Sequence, residues 1–201
     1  TDDTPVISSG TGTVTEDTSP TATGTLTATD TDNPALAFVA GTQTGTHGSL
    51  TLNAAGAWSY TLGAAAQALA GGQVVTETFT VNLNDGSTTT VTITVTGTDD
   101  APVISSGTGA VTEDTSPTAS GTLTAIDVDN AALAFVAGTQ AGAYGSLTLD
   151  AAGAWNYTLG VAAQALAGGQ VVAETFTVSL NDGSTTTVTI TVTGTDDAPV
   201  I

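Results

Sequence analysis

The chain has 201 residues, 19 of them Asp or Glu, with no Lys, Arg or Cys and a formal net charge of −19. A polyanion without a single permanent cation is a poor ligand for nucleic acid or an anionic membrane surface, and it cannot neutralise its own carboxylates through salt bridges. Disulfide staples are excluded as well, so metal ions and solvent are the only partners left for the acids.

High charge with few aromatics can mark a disordered chain. Here a hydrophobic fraction of 40% and strict alternation of apolar and polar residues point to folding instead. The sequence is also written twice. Shifted by 97 residues, Thr1-Asp2-Asp3 falls on Thr98-Asp99-Asp100, Trp58 on Trp155 and Asn84-Asp85-Gly86 on Asn181-Asp182-Gly183, with about six residues in seven identical. Such self-similarity marks tandem copies of one unit, at a period suited to a small β-sandwich. Residues 1–98 are expected to form the first unit, 99–102 a linker and 103–201 the second. Both ends repeat the internal boundary, as in two units cut from a longer array. No apolar run is long enough to span a bilayer.

In chain order, a first strand is expected near Pro5–Val14. Ala22, Gly24, Leu26 and Ala28 then share one face, opposite Thr23, Thr25 and Thr27. Leu36, Phe38 and Ala40 follow, then Leu50 and Leu52 and, after a turn at Asn53–Gly56, Trp58, Tyr60 and Leu62. Gly63–Gly72 breaks the alternation; being Ala-rich, it reads as a helical turn or two crossing between strands, stopped by Gly71-Gly72. Phe79, Val81 and Leu83 lead to a tight hairpin at Asn84-Asp85-Gly86, then Val91, Ile93 and Val95 close the unit. β-Branched, polar Thr suits the outward faces. The expected fold is all-β: two tandem immunoglobulin-like sandwiches of about seven antiparallel strands each, with a short helical crossover.

Strand direction decides which acids share a pole. If the first strand starts where the chain enters (the amino pole), the first turn places Glu16 and Asp17 at the opposite, carboxy pole. Glu77 begins the sixth strand at that pole on the inward phase, where a charge needs a partner. The last strand ends there and runs into Asp99 and Asp100. The second turn of the next unit carries Asp127, Asp129 and Asn130 to its own amino pole. Stacked units would gather these groups, and two like charges 4 Å apart repel by about 1 kcal/mol in water and about 4 at an effective dielectric of 20. Hard oxygen donors without thiols select Ca2+. The outer half-sites, Asp2, Asp3, Asp30 and Asp32 at one end and Glu113, Asp114, Glu174, Asp196 and Asp197 at the other, lack a neighbour and are expected to bind more weakly. Asp85 and Asp182 read as plain hairpin residues.

Val14-Thr15-Glu16-Asp17, Asp30-x-Asp32-Asn33, Glu77-Thr78-Phe79-Thr80-Val81, Asn84-Asp85-Gly86 and the junction Thr96-Gly97-Thr98-Asp99-Asp100-Ala101-Pro102-Val103 resemble the VCBS repeat along each unit. That repeat is a cadherin-like domain of very large bacterial surface adhesins. The resemblance implies cadherin-like β-sandwich units, export by type I secretion beside RTX-type calcium-binding repeats, display outside the cell and a part in biofilm adhesion. The acids also resemble cadherin calcium ligands, although the longer Asn-Asp-rich cadherin linker is missing.

Other residues carry less. His47 is the only histidine and its counterpart is Tyr144, so a role for it would belong to one copy alone. Trp58 and Trp155 are in phase with the core. Gly41–Gly48 lacks the Lys and spacing of a phosphate-cradling loop. No Ser or Thr has a paired base, so an enzyme is not expected. The expected function is a structural extender with Ca2+ at the junction, monomeric, whose partners are neighbouring repeats of the same chain. The alternative is a module that binds a glycan or a second copy of itself, for which Tyr144, its loop and Ala64–Ala70 are the available surface.

Overall fold

The computed structural model describes residues 3–197, and the chain divides between Asp100 and Ala101 into two compact units. In the first, β1 (Val6–Ile7), β2 (Gly10–Thr15), β3 (Thr21–Thr25), β4 (Ala28–Thr29), β5 (Gly41–Thr44), β6 (Gly48–Leu52), β7 (Ala57–Leu62), β8 (Val74–Asn82) and β9 (Thr88–Thr96) follow one another. A four-stranded sheet in the order β3-β7-β6-β5 and a three-stranded sheet in the order β2-β9-β8 form the sandwich. The second unit repeats this pattern with β10 (Val103–Ile104), β11 (Gly107–Thr112), β12 (Thr118–Thr122), β13 (Ala125–Ile126), β14 (Gly138–Ala141), β15 (Gly145–Leu149), β16 (Ala154–Leu159), β17 (Val171–Ser179) and β18 (Thr185–Thr193).

The alternating residues become the two inner faces, as period-2 patterning requires. Leu26, Leu50, Trp58, Tyr60, Phe79, Val81, Val91, Ile93 and Val95 are all buried in one core. The second unit builds its own from the equivalent residues. Trp58 lies against Gly24: a Cβ there would come within 2.5 Å of the indole ring. The core therefore closes around a large ring only because the facing strand has no side chain at that point.

Two expectations about the strands change. The first strand is not one antiparallel strand: it breaks at Ser8–Ser9, β1 pairing antiparallel with β4 and β2 running parallel to β9. Ser8 holds the crossing, donating its N–H to Thr27 O at 2.9 Å and accepting from Thr27 N at 2.8 Å through Oγ. Leu36–Ala40 is not a laddered strand; Phe38 makes one isolated bridge to Leu83, and the edge strand forms directly after Ala40 as β5. The crossover is a 3-10 turn over Ala64–Ala68 with Ala66 buried, and Leu69 beyond it also enters the core. It ends before Gly71-Gly72, which have a different task.

Candidate metal centre

At the carboxy pole the parallel pairing of β2 with β9 puts the turn after Thr15 beside the segment after Thr96. Glu16 N donates to Thr96 O at 3.0 Å, extending the ladder by one residue. Asp17 then adopts φ 58°, a left-handed conformation that Asp tolerates better than most side chains. Thr98 binds both acids, its N–H donating to Glu16 Oε2 at 3.1 Å and its hydroxyl to Asp17 Oδ2 at 2.9 Å. Gln67, from the 3-10 turn, donates to Asp17 Oδ1 at 3.3 Å.

The exit segment is pinned to the same pole. Gly97 N donates to Gln73 O at 2.8 Å and Gly72 N to Gly97 O at 3.0 Å. Gly71 lets Asp99 pass: a Cβ at Gly71 would sit 2.9 Å from Asp99 Cβ and 3.1 Å from its amide nitrogen. The glycine pair that the sequence suggests as a helix stop thus seats the acidic segment leaving the unit. Sequence reasoning misses Gln67, Gly71 and Thr98, because no spacing rule links positions so far apart along the chain.

The electrostatics of the pole turn on Glu16. It is 1% exposed, and its Oε1 is buried with no hydrogen-bond partner among the described residues; Glu113 Oε1 is the same at 0% exposure. Around Glu113 the second unit repeats the arrangement, Thr195 N donating to Glu113 Oε2 at 3.0 Å and Thr195 Oγ1 to Asp114 Oδ2 at 2.8 Å. Asp114 has φ 59°, and Asp196 lies against Gly168 with its carboxylate, where Asp99 lies against Gly71 with its Cβ and backbone.

Glu77 and Glu174 are held by the fold itself. Glu77 faces inward as expected, but both of its oxygens are already engaged: Tyr60 Oη donates to Oε2 at 2.5 Å and His47 N to Oε1 at 2.7 Å. Glu174 is held identically by Tyr157 Oη at 2.5 Å and Tyr144 N at 2.7 Å. Each carboxylate is a strut between the core and the loop before β6 or β15. Burial first, then the hydrogen bond and charge of the glutamate, push the Tyr60 and Tyr157 phenols well above their ordinary value.

At the amino pole of the first unit Asp3, Asp30, Asn33 and Asp85 line one cavity of about 240 Å³. Asp3 N donates to Asp32 Oδ2 at 3.1 Å and Asp32 N to Asp30 Oδ1 at 3.2 Å. Asp85 does hold its hairpin, accepting from Ser87 N at 2.9 Å, yet it also faces these acids, which the hairpin pattern hides. In the second unit Asp129 N donates to Asp127 Oδ1 at 3.2 Å and Ala132 N to Asn130 Oδ1 at 3.2 Å. Hydrogen bonding to the Asp129 side chain, then to the amides of Asp129, Asn130 and Val128, holds Asp127 below the ordinary carboxylate range. Asp2 lies outside the described residues. Among those described, no three His, Asp or Glu side chains are already drawn together as a metal-binding group.

The donors present fit a hard cation. The described acids are surrounded by carboxylate, amide, carbonyl and hydroxyl oxygens, and a fully buried carboxylate oxygen without a proton donor is what such an ion satisfies.

The profile of the bacterial cadherin-like domain matches residues 2–97 and again 99–194. Among solved structures, mouse cadherin-23 domains EC22–24 are similar at TM-score 0.51 and 16% identity, over 98% of this chain and 68% of that one. Protocadherin gamma B7 domains 1–4 are similar at TM-score 0.44 and 15% identity, over 94% of this chain and 49% of that one, so the chain spans about half of that fragment. At these identities the likeness is one of fold. No curated protein matches the sequence.

Proposed function

Because the chain belongs to the bacterial cadherin-like domain family, as two tandem copies, we propose that it is an extender segment of a bacterial cell-surface adhesin whose acidic poles take Ca2+ and stiffen the joint between successive units. The observation that carries this reading is the buried, unpartnered oxygen of Glu16, repeated at Glu113. Burying a carboxylate without a partner is costly, and this chain has no lysine or arginine to offset it. In this reading Glu16, Asp17, Asp99 and Asp100 hold ions together with Asp127, Asp129 and Asn130 of the following unit. The bound ion supplies positive charge and nothing more. Thr98 and Gln67 orient the two turn acids, and the Gly71 passage holds Asp99 beside them.

Extracellular calcium modules bind at about 10⁻⁴–10⁻³ M. A calcium-poor cytosol therefore leaves the joint loose, and the outside of the cell tightens it. The VCBS resemblance supports type I secretion, RTX-type neighbours and a place in biofilm adhesion. The role is mechanical. The outer sets, Asp3, Asp30 and Asp32 at one end and Glu113, Asp114, Asp196 and Asp197 at the other, bind more weakly in the isolated pair.

X-ray scattering of the two-unit chain in calcium and in chelator tests the proposal. Calcium should lengthen the particle and narrow its shape distribution, with calorimetric titration giving a matching binding heat. Identical profiles and no heat would defeat it.

A further inference from the structure

The two units are near-copies, so the positions where they differ show what one has that the other lacks. Three differences meet at one shallow cavity of about 310 Å³ in the second unit: Ala143 in place of Thr46, Tyr144 in place of His47 and Val161 in place of Ala64. Each change makes the surface more apolar. Ser146 and Thr158 are also in the lining, the Thr158 hydroxyl donating to Asn156 Oδ1 at 3.2 Å, and no charged residue lines the cavity, in a chain of net charge −19. Val161 is 92% exposed and borders the half-buried Tyr144 in this lining.

The aromatic position is fixed in advance. Tyr144 N donates to buried Glu174 at 2.7 Å and Tyr144 O accepts from Gly160 N at 2.7 Å, so the loop is tied both to the core and to the turn carrying Val161. Glu113 and Asp114 line the adjoining cavity, which shares Leu159, Gly160 and Val161 with this one. An anionic ligand is repelled from that side.

We propose that this cavity is a binding site for one neutral pyranose ring, present on the second unit and absent from the first. A hexose has a C–H face that packs on an aromatic ring and aliphatic side chains, and hydroxyls that pair with Ser, Thr and backbone groups. An apolar wall edged by Ser146 and Thr158 matches both, and the volume lies at the small end of ligand sites. The site needs no calcium, so it stands apart from the extender reading.

The two copies serve as each other's controls. The two-unit chain is titrated in chelator with the methyl glycosides of glucose, galactose and mannose, and with glucuronate, following backbone amides by NMR. One or more neutral glycosides should shift the signals of Tyr144–Ser146 and Gly160–Ala162 but not their counterparts in the first unit, and glucuronate should shift neither. Y144A should weaken binding about three- to tenfold, the scale of one aromatic contact. Y144H with V161A, which writes the first unit's residues into the second, should abolish the response without unfolding, since the same scaffold already carries them. T46A, H47Y and A64V together should confer it on the first unit. The proposal is overturned if no neutral glycoside moves these signals, if both units respond alike, or if self-association moves them without sugar.

Discussion

Glu16 has one oxygen paired with Thr98 and one with nothing, deep in the pole. Neutralising it and its counterpart therefore has opposite effects in two buffers. E16Q with E113Q should leave chelator-treated protein as stable or more stable, by up to about 1–3 kcal/mol, because an uncompensated buried charge is removed. In calcium the same variant should lose most of the calcium-induced rise in Tm. Thermal unfolding in both buffers checks this; an undiminished calcium response would place the ion elsewhere. Tyr60 and Tyr157 have a different pH signature. Their folded-state pKa values are raised, so the stability they contribute is complete below the unfolded value of about 10 and lost as pH rises through the folded one. Urea unfolding from pH 9 upward should show a loss that Y60F/Y157F lacks. At pH 7 that variant should be less stable by about 1–3 kcal/mol per site, since each glutamate loses a donor.

Among the elements, the segment from Leu69 to Gln73 joins fold and site. Leu69 anchors it in the core, Gln73 and Gly72 bond Gly97, and Gly71 clears the path of Asp99. G71A should push the exit segment outward, lowering calcium affinity severalfold while leaving the urea midpoint in chelator nearly unchanged. Titration calorimetry alongside urea unfolding separates the two effects. The sequence makes this element legible as an Ala-rich crossover, and Leu69 as its only large apolar residue. Its role at the joint is not legible, since that depends on carbonyl and amide positions from both ends of the unit. The strand break at Ser8 and the lone bridge at Phe38 escape for a similar reason. Alternation shows which residues face inward, and it holds whether a strand pairs along its whole length, changes sheets or makes a single bridge.

Over the whole molecule, charge is kept to the poles and turns, apart from the two inward glutamates, and the outward sheet faces are mostly threonine. Such a chain repels itself at its poles until cations bind. D99N with D127N should reduce calcium affinity while each unit keeps its own unfolding transition in chelator. Joint melting of the two units there would make these acids part of the fold. The tandem repeat, the all-β class and the core residues follow from sequence alone, because periodicity and turn chemistry are local facts. Only the tertiary structure decides that Glu77 is a strut while Glu16, a turn acid in sequence, is buried with an open oxygen, because the groups brought against each come from distant strands.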